Sequence, residues 1–355
     1  MDDPGYEELD GIEDQPARGL IRQFLLAIRI LLGLLLLAWA AGHFASDRLL
    51  LTEVLSLVHP LFWSATLLLV PLAWLPRWLW IAVVVVILTL LGNGLHREQP
   101  NLFRLRMEDP GAQASEAIRV SFWNIKSFSY GREGIVSGFN EDDPDVVCMV
   151  EGTYRGIVHD SLRVGLGPAY QWASVRQMAI GSRFQILRSR ELPTRTRLRV
   201  FEVRVLTPDG PVGILMPDFP RPPRLDTREM MQELRAILAT SEPPYVVVGD
   251  LNTIRGSWRL HRATAGLKDF YTEAPNERWL ATWRDPVHLW QIDHAFASPG
   301  VEPVFARFGG KGASDHLRLS IGFVLEESSR DPADRAFAPG TVRESSASSP
   351  RERLP

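Results

Sequence analysis

Three long apolar runs in the first 95 residues constrain this chain more than any other feature. Phe24 to Ala45 reads "FLLAIRILLGLLLLAWAAGHFA", Val54 to Trp74 reads "VLSLVHPLFWSATLLLVPLAW", and Trp78 to Leu95 reads "WLWIAVVVVILTLLGNGL". A helix of ~20 apolar residues crosses a bilayer core of about 30 Å, and each run approaches that length. Buried core helices are the alternative, but three runs in succession with short gaps favour the bilayer. A cleaved signal peptide fits poorly, because two more apolar runs follow the first. Arg29 lies about one turn inside the first run, where it either snorkels to the headgroups or faces the other helices. Among Trp39, Trp63, Trp74, Trp78 and Trp80 are candidate interface anchors.

Three crossings place the two termini on opposite sides. Arg18, Arg22, Arg29 and Arg77 then face one side, and Arg48, Arg97, Arg104 and Arg106 the other, so the positive-inside rule does not decide orientation. The expected location is a bacterial inner or plasma membrane crossed several times, with a lean toward an extracytoplasmic domain. Residues 1–23 are acidic and read as a solvated, disordered tail. Residues 96–115 read as a polar linker, and 327–355 have too few large apolar residues to fold. Between them, residues 116–326 alternate Val- and Ile-rich runs with helical stretches and Gly, Pro and Asp loops, an α/β pattern.

The formal net charge of −3 gives no global basic field for nucleic acid. Of 39 basic side chains, only Lys126, Lys268 and Lys311 are lysines. The lone cysteine, Cys148, excludes an intrachain disulfide framework and a cysteine-built zinc site. It lies within "VVCMV" and reads as a small buried side chain.

Polar residues recur at the ends of apolar strands. "IRVSFWN" ends in Asn124, "PDVVCMVE" in Glu151, and "PYVVVGDLN" in Asp250 and Asn252. "LWQIDHAFA" carries Asp293, and "GKGASDHLRLSIGFVL" opens with Asp315 and His316. A single Asp beside a strand is usually a turn residue or a helix cap. Together these residues make a coherent chemical set. Asn124, Glu151 and Asp315 are hard oxygen ligands suited to Mg²⁺ or Mn²⁺. His316 is the natural acid–base residue, and Asp293 is the carboxylate that would fix its tautomer. Asp250 would hold or activate a water, and the Asn252 amide would donate to an oxyanion. The set describes metal-assisted attack of water on phosphorus.

In order and spacing, "WN", "PDVVCMVE", "GSRF", "GDLN", "IDH" and "SDH" resemble the endonuclease/exonuclease/phosphatase superfamily, the deoxyribonuclease-I-like group, across roughly Ile118 to Leu325. "GDLN" followed by a late "SDH" is specific in combination. The resemblance implies a four-layer α/β sandwich: two mainly antiparallel β-sheets flanked by helices, here preceded by three transmembrane helices in a membrane-anchored, bacterial-type member. It implies that Asn124 and Glu151 lie on the metal side, and that Asp250 and Asn252 handle the nucleophile and the phosphate. It further implies that Asp293 orients His316 and that Asp315 assists the metal or the histidine. Arg183 in "GSRF" is either a phosphate contact or structural.

The chain departs from the pattern at "GILMPDFP", where Asp218 stands in a position that often carries a phosphate-contacting histidine. A carboxylate facing phosphate is repulsive unless a cation or proton intervenes. Asp218 therefore binds metal, holds Arg221 or Arg224, is protonated, or is a solvated turn residue. Arg228, Gln232 and Leu234 follow on an expected helix. His294 should face away from Asp293 and be structural. Arg195, Arg197 and Arg199 alternate at strand period, giving a solvated face or a strip facing phosphate or lipid headgroups. The expected function is a membrane-anchored, Mg²⁺-dependent (or Mn²⁺-dependent) phosphoesterase. Its partners would be the lipid bilayer and a phosphate-ester substrate: nucleic acid, phospholipid or a small phosphodiester. The alternative is an inactive binding or regulatory module that retains the fold.

Overall fold

The computed structural model describes residues 77–102, 104, 111, 113–152, 157–220, 227–274, 277, 279–283, 290–310 and 312–326, with scattered positions between 20 and 47. The N-terminal acidic tail, the second apolar run, most of the first, the segment with Arg221 and Arg224, and the C-terminal tail lie outside the described residues. The third apolar run lies within a 22-residue helix, α1 (Arg77–Glu98). Among the described residues, no helix is long and apolar enough to cross a membrane.

The first half of the domain contains α2 (Gln113–Glu116), β1 (Ile118–Asn124), α3 (Arg132–Glu141), β2 (Val146–Val150), α4 (Ile157–Leu166), β3 (Gln171–Val175) and β4 (Met178–Ser182). The second half begins with β5 (Gln185–Glu191), β6 (Arg199–Thr207), β7 (Gly210–Asp218), α5 (Thr227–Thr240) and β8 (Tyr245–Asp250). It closes with α6 (Trp258–Ala263), β9 (Lys268–Asp269), α7 (Phe270–Glu273), β10 (Asp293–Ala297), β11 (Val301–Gly309) and β12 (Arg318–Leu325). The strands form two six-stranded sheets, ordered β11-β12-β1-β2-β4-β3 and β5-β6-β7-β8-β10-β9. Only β1–β2 and β7–β8 pair in parallel, so both sheets are mixed and mainly antiparallel.

Side-chain alternation builds the layers. In β2, Val146, Cys148 and Val150 face the inter-sheet core, whereas Val147 and Met149 pack outward with Ile135 and Phe139 of α3 and Leu162 of α4. In β8, Val246 and Val248 face inward, whereas Tyr245 and Val247 meet Met230, Leu234 and Leu238 of α5. The result is helix, sheet, sheet, helix. Strands apolar on both faces read as near-continuous hydrophobic runs, which is why "VVCMV" and "YVVV" were legible as strands.

One sequence expectation is corrected. Arg195 and Arg197 precede β6 in a loop, and only Arg199 enters a strand, so there is no three-arginine strand face. The turn is secured by Glu233 of α5, whose carboxylate accepts from the backbone N–H groups of Arg195 and Thr196. Within the stretch after the third apolar run, Gln99 and Asn101 contact the domain. Buried Gln99 donates from Nε2 to Leu280 O at 2.6 Å and accepts from Leu280 N at 2.5 Å. Buried Asn101 donates to Tyr271 O at 2.8 Å and to Glu277 O at 3.0 Å.

Candidate active site

Strand pairing lines up a row of charged residues across the second sheet. Arg199 opposes Asp218, Asp218 pairs with Asp250, and Asp250 opposes Asp293. Asp218 and Asp250 end their strands, whereas Arg199 and Asp293 open theirs. Antiparallel pairing brings strand starts and strand ends to one rim. All four positions continue the parity of inward-facing residues, namely Phe201, Met216, Val248 and Ala295. Hydrophobic residues fill the inter-sheet layer, and charged ones take over where it opens. The first sheet supplies Asn124 at the end of β1, Glu151 just after β2, and Asp315 and His316 just before β12.

Most of these groups are joined directly. His316 Nδ1 lies 2.9 Å from Asp293 Oδ2, and its Nε2 lies 3.9 Å from Asp250 Oδ2. Asn124 Nδ2 donates to Asp250 Oδ2 at 2.9 Å. The backbone N–H of Asn252 donates to Asp250 Oδ1 at 2.9 Å. Asp315 Oδ2 lies 2.5 Å from Lys126 Nζ. Buried Trp123 donates from Nε1 to His316 O at 2.9 Å, fixing the segment that carries the histidine.

Burial and crowding set the charges. Desolvation opposes the charge on His316, but the Asp293 carboxylate and then Asp250 and Asp315 outweigh it and push its pKa to about 9. Desolvation, then the Asp293 charge, raises Asp250 well above the ordinary carboxylate range, against the opposing pull of His316. Asp218 is pushed up to about 7, first by burial and then by Glu151, with Arg199 and His316 opposing. Arg199 Nη1 is 4.0 Å from Asp218 Oδ2.

A cleft of about 540 Å³ opens beside this group. Its walls include Glu151, Asp218, Ser127, Arg176, Arg197 and Arg199. Lys126, Ser127, Glu151, Arg176 and Asn252 all have positive φ, between 41° and 54°. Such backbone costs on the order of 1–3 kcal/mol per residue and persists where the surroundings over-determine it, often at functional sites.

The structure brings Asn124, Glu151, Asp218, Asp250, Asn252, Asp293, Asp315 and His316 to one rim. Arg183 is not among them. It follows β4 at the end paired with Val146, opposite Glu151, where it pairs with Asp143 and stacks over the Tyr170 ring at 5.1 Å. The Asn252 side chain donates from Nδ2 to Phe219 O at 2.7 Å, so it ties the end of β7 to the Asp250 loop. His294 faces away as expected: buried, with Nε2 2.8 Å from Thr253 O. Sequence reasoning passed over Lys126 and Arg176. For Lys126 a signal existed, since it is one of three lysines and follows Asn124 by two residues. Arg176 carries no local mark.

The residues suit a divalent cation. Asp250, Asp293 and His316 each present a ligand atom within 4.8 Å of the others. Asp293 Oδ1 is buried without a hydrogen-bond partner. Asn124 Oδ1 accepts only the Lys126 N–H at 3.1 Å among described contacts and keeps a lone pair. Carboxylate and amide oxygens dominate the rim, a hard donor set.

A four-layer α/β sandwich with an acidic, histidine-bearing cleft at one rim defines the class of protein. Residues 122–316, more than half of the chain, match the Endonuclease/Exonuclease/phosphatase family, and the chain belongs to it. Members of this superfamily are phosphoric ester hydrolases, and its enzymes depend on divalent metals. The fold is similar to a D. rerio TDP2 humanized by 14 mutations, at 18% identity and a TM-score of 0.50, covering 59% of this chain and 99% of that one. A D. rerio TDP2 complexed with single-strand DNA product matches at 15% identity and a TM-score of 0.50, with the same coverage. An endonuclease/exonuclease/phosphatase from Bacteroides vulgatus matches at 17% identity and a TM-score of 0.50, covering 59% and 99%. No curated protein matches the sequence.

Proposed function

We propose that this chain is a membrane-attached, divalent-metal-dependent hydrolase that cleaves a phosphodiester or phosphomonoester bond by attack of water. The observation that carries the reading is His316 held by Asp293 at 2.9 Å while its other nitrogen faces Asp250 at 3.9 Å. Asp250, with its raised proton affinity, accepts the proton of the attacking water. Protonated His316 presents positive charge to the phosphoryl oxygens, and Asp293 keeps it oriented. Asn124 holds the Asp250 carboxylate in place through its amide N–H. Glu151 and Asn124 would hold Mg²⁺ or Mn²⁺, with Asp315 assisting through its contact with Lys126. When bound, such a cation supplies neutralisation of the charge that develops on phosphate oxygens. Arg197 and Arg199 line the cleft as anion-binding side chains.

Membrane attachment rests on the three apolar runs of the sequence and makes a bilayer-proximal phosphate ester the favoured substrate. Nucleic acid stays in consideration, because one structure of the same fold contains a single-strand DNA product. The test offers the purified chain Mg²⁺ or Mn²⁺ with single- and double-stranded DNA, nucleotides, phospholipids and an aryl phosphodiester. Turnover above an Asp250→Ala control supports the hydrolase. Absence of turnover across the panel favours a binding module instead, the reading motivated by a carboxylate at Asp218. Protease accessibility in intact cells assigns the side on which the domain lies.

A further inference from the structure

Two carboxylates just beyond apolar runs meet the domain at one short segment. Asp47, two residues beyond the first run, accepts from Ser257 Oγ, from Trp258 N at 2.9 Å and from Arg259 N at 3.3 Å. Glu98, three residues beyond the third run, accepts from Gly256 N at 3.0 Å. If the runs cross a bilayer three times, these two positions fall on the same side, and here they converge on residues 256–259. The start of α6 is therefore the part of the domain next to the apolar segments.

Beside it, between α5 and α6, lies a cavity of about 530 Å³. Arg228, Arg235, Arg259 and Arg262 line it together with Trp258, and no carboxylate is among the described lining residues. Trp258 is 38% exposed, and the Arg262 guanidinium lies 5.1 Å from its ring centroid. Arg228, Arg235 and Arg262 concentrate positive charge in a concave site, while the Asp47 carboxylate engages the backbone N–H groups of Trp258 and Arg259 beside it. Guanidinium forks match the paired oxygens of a phosphate diester. A half-exposed tryptophan suits the boundary between headgroups and acyl chains.

We propose that this cavity seats the headgroup of an anionic phospholipid drawn from the bilayer that the apolar segments enter. The proposal rests on the membrane part of the reading above and not on its chemistry. The lipid holds the domain against the membrane surface at a site separate from the catalytic cleft. The loop from Leu251 to Ser257 joins this dock to the Asp250 strand end.

The full chain is incorporated into nanodiscs of phosphatidylcholine alone or mixed with phosphatidylglycerol, and amide hydrogen exchange is read over α5 and α6. Phosphatidylglycerol should slow exchange there by about five-fold or more. The R228Q/R235Q/R262Q variant should lose that protection while keeping its melting temperature, and R262Q alone should lose part of it. Equal protection in the two lipids, or undiminished protection in both variants, overturns the proposal. So does equal protection by inorganic phosphate in phosphatidylcholine discs, which would make the cavity a soluble-anion site. A chain recovered outside the discs removes the membrane reading and this proposal together, and leaves the hydrolase assay to stand on its own.

Discussion

His316 and Asp293 are joined side chain to side chain, with Nδ1 2.9 Å from Oδ2 and both residues buried. The pairing crosses from one sheet to the other: Asp293 opens β10 in the second sheet, and His316 precedes β12 in the first. One contact thus ties the two sheets together and orients the histidine proposed to face the phosphoryl oxygens.

Replacing Asp293 with Asn keeps the shape and removes the charge that raises the histidine. The Asp293→Asn variant should lose about 100-fold or more in kcat, the usual scale for losing one electrostatic contact to the transition state. The stability effect has a defined sign. A histidine raised from 6.5 to about 9 contributes stability that is fully present below about pH 6.5 and lost as pH rises through about 9. Urea melts of the wild type should show that decline between those limits, and the variant should not. An unchanged kcat would remove Asp293 from the orienting role.

Asp218 titrates near pH 7 beside Glu151 and Arg199, inside the cleft. As pH climbs through 7 it gains a negative charge that faces any phosphate ester entering there. The wild-type KM should therefore rise between about pH 6 and 8. In Asp218→Asn that component should vanish, with KM at high pH lower than in the wild type. A KM profile that is the same in both proteins, measured at fixed metal concentration, would make Asp218 a passive turn residue.

The sheets and most of the rim were legible because their signals are local. A strand buried on both faces is an apolar run, and the residue that ends it is the first polar one, as with Asn124, Glu151 and Asp250. The order of "GDLN" and "SDH" then joined the halves. What stayed hidden depends on pairing across long separations. The row from Arg199 through Asp218 and Asp250 to Asp293 exists only once β6, β7, β8 and β10 are in register. The Arg183 motif left a phosphate contact and a structural role open, and only pairing shows that β4, antiparallel to β2, carries it to the end away from Glu151. The contacts of Gln99 and Asn101 carry no local signal. Their partners, Leu280 and Tyr271, lie some 170 to 181 residues away.

Register at the rim depends on Gly249. A Cβ at this position would lie 2.1 Å from Pro217 O and 2.9 Å from the proline ring. The obstacle at the shortest distance is backbone of the neighbouring strand, which cannot swing aside. Gly249→Ala should destabilise by about 1–3 kcal/mol or more through overpacking. It should also reduce activity, since it displaces the Asp218–Asp250 pair on either side of it. A melting temperature within a degree or so of the wild type would show that β7 and β8 separate more easily than their register suggests.

His294 offers the opposite pH signature to His316, one residue along the same strand from Asp293. It is buried with Nε2 2.8 Å from Thr253 O, and desolvation, only partly offset by that carbonyl, lowers its pKa from 6.5 to about 4. The neutral ring with a proton on Nε2 satisfies the contact, whereas a charged ring would sit in an apolar site against Phe296. For a depressed histidine, the folded state binds fewer protons than the unfolded chain between the two pKa values. Stability is then fully present above about pH 6.5 and lost as pH falls toward 4. The difference of 2.5 units corresponds to about 3 kcal/mol at the acid end. His294→Gln retains a donor for Thr253 without a titrating ring. It should be somewhat less stable at pH 7 but lose less stability on acidification, so that the two unfolding free energies converge or cross between pH 6.5 and 4. Parallel pH profiles for wild type and variant would mean that His294 takes up a proton in the fold as readily as in the unfolded chain.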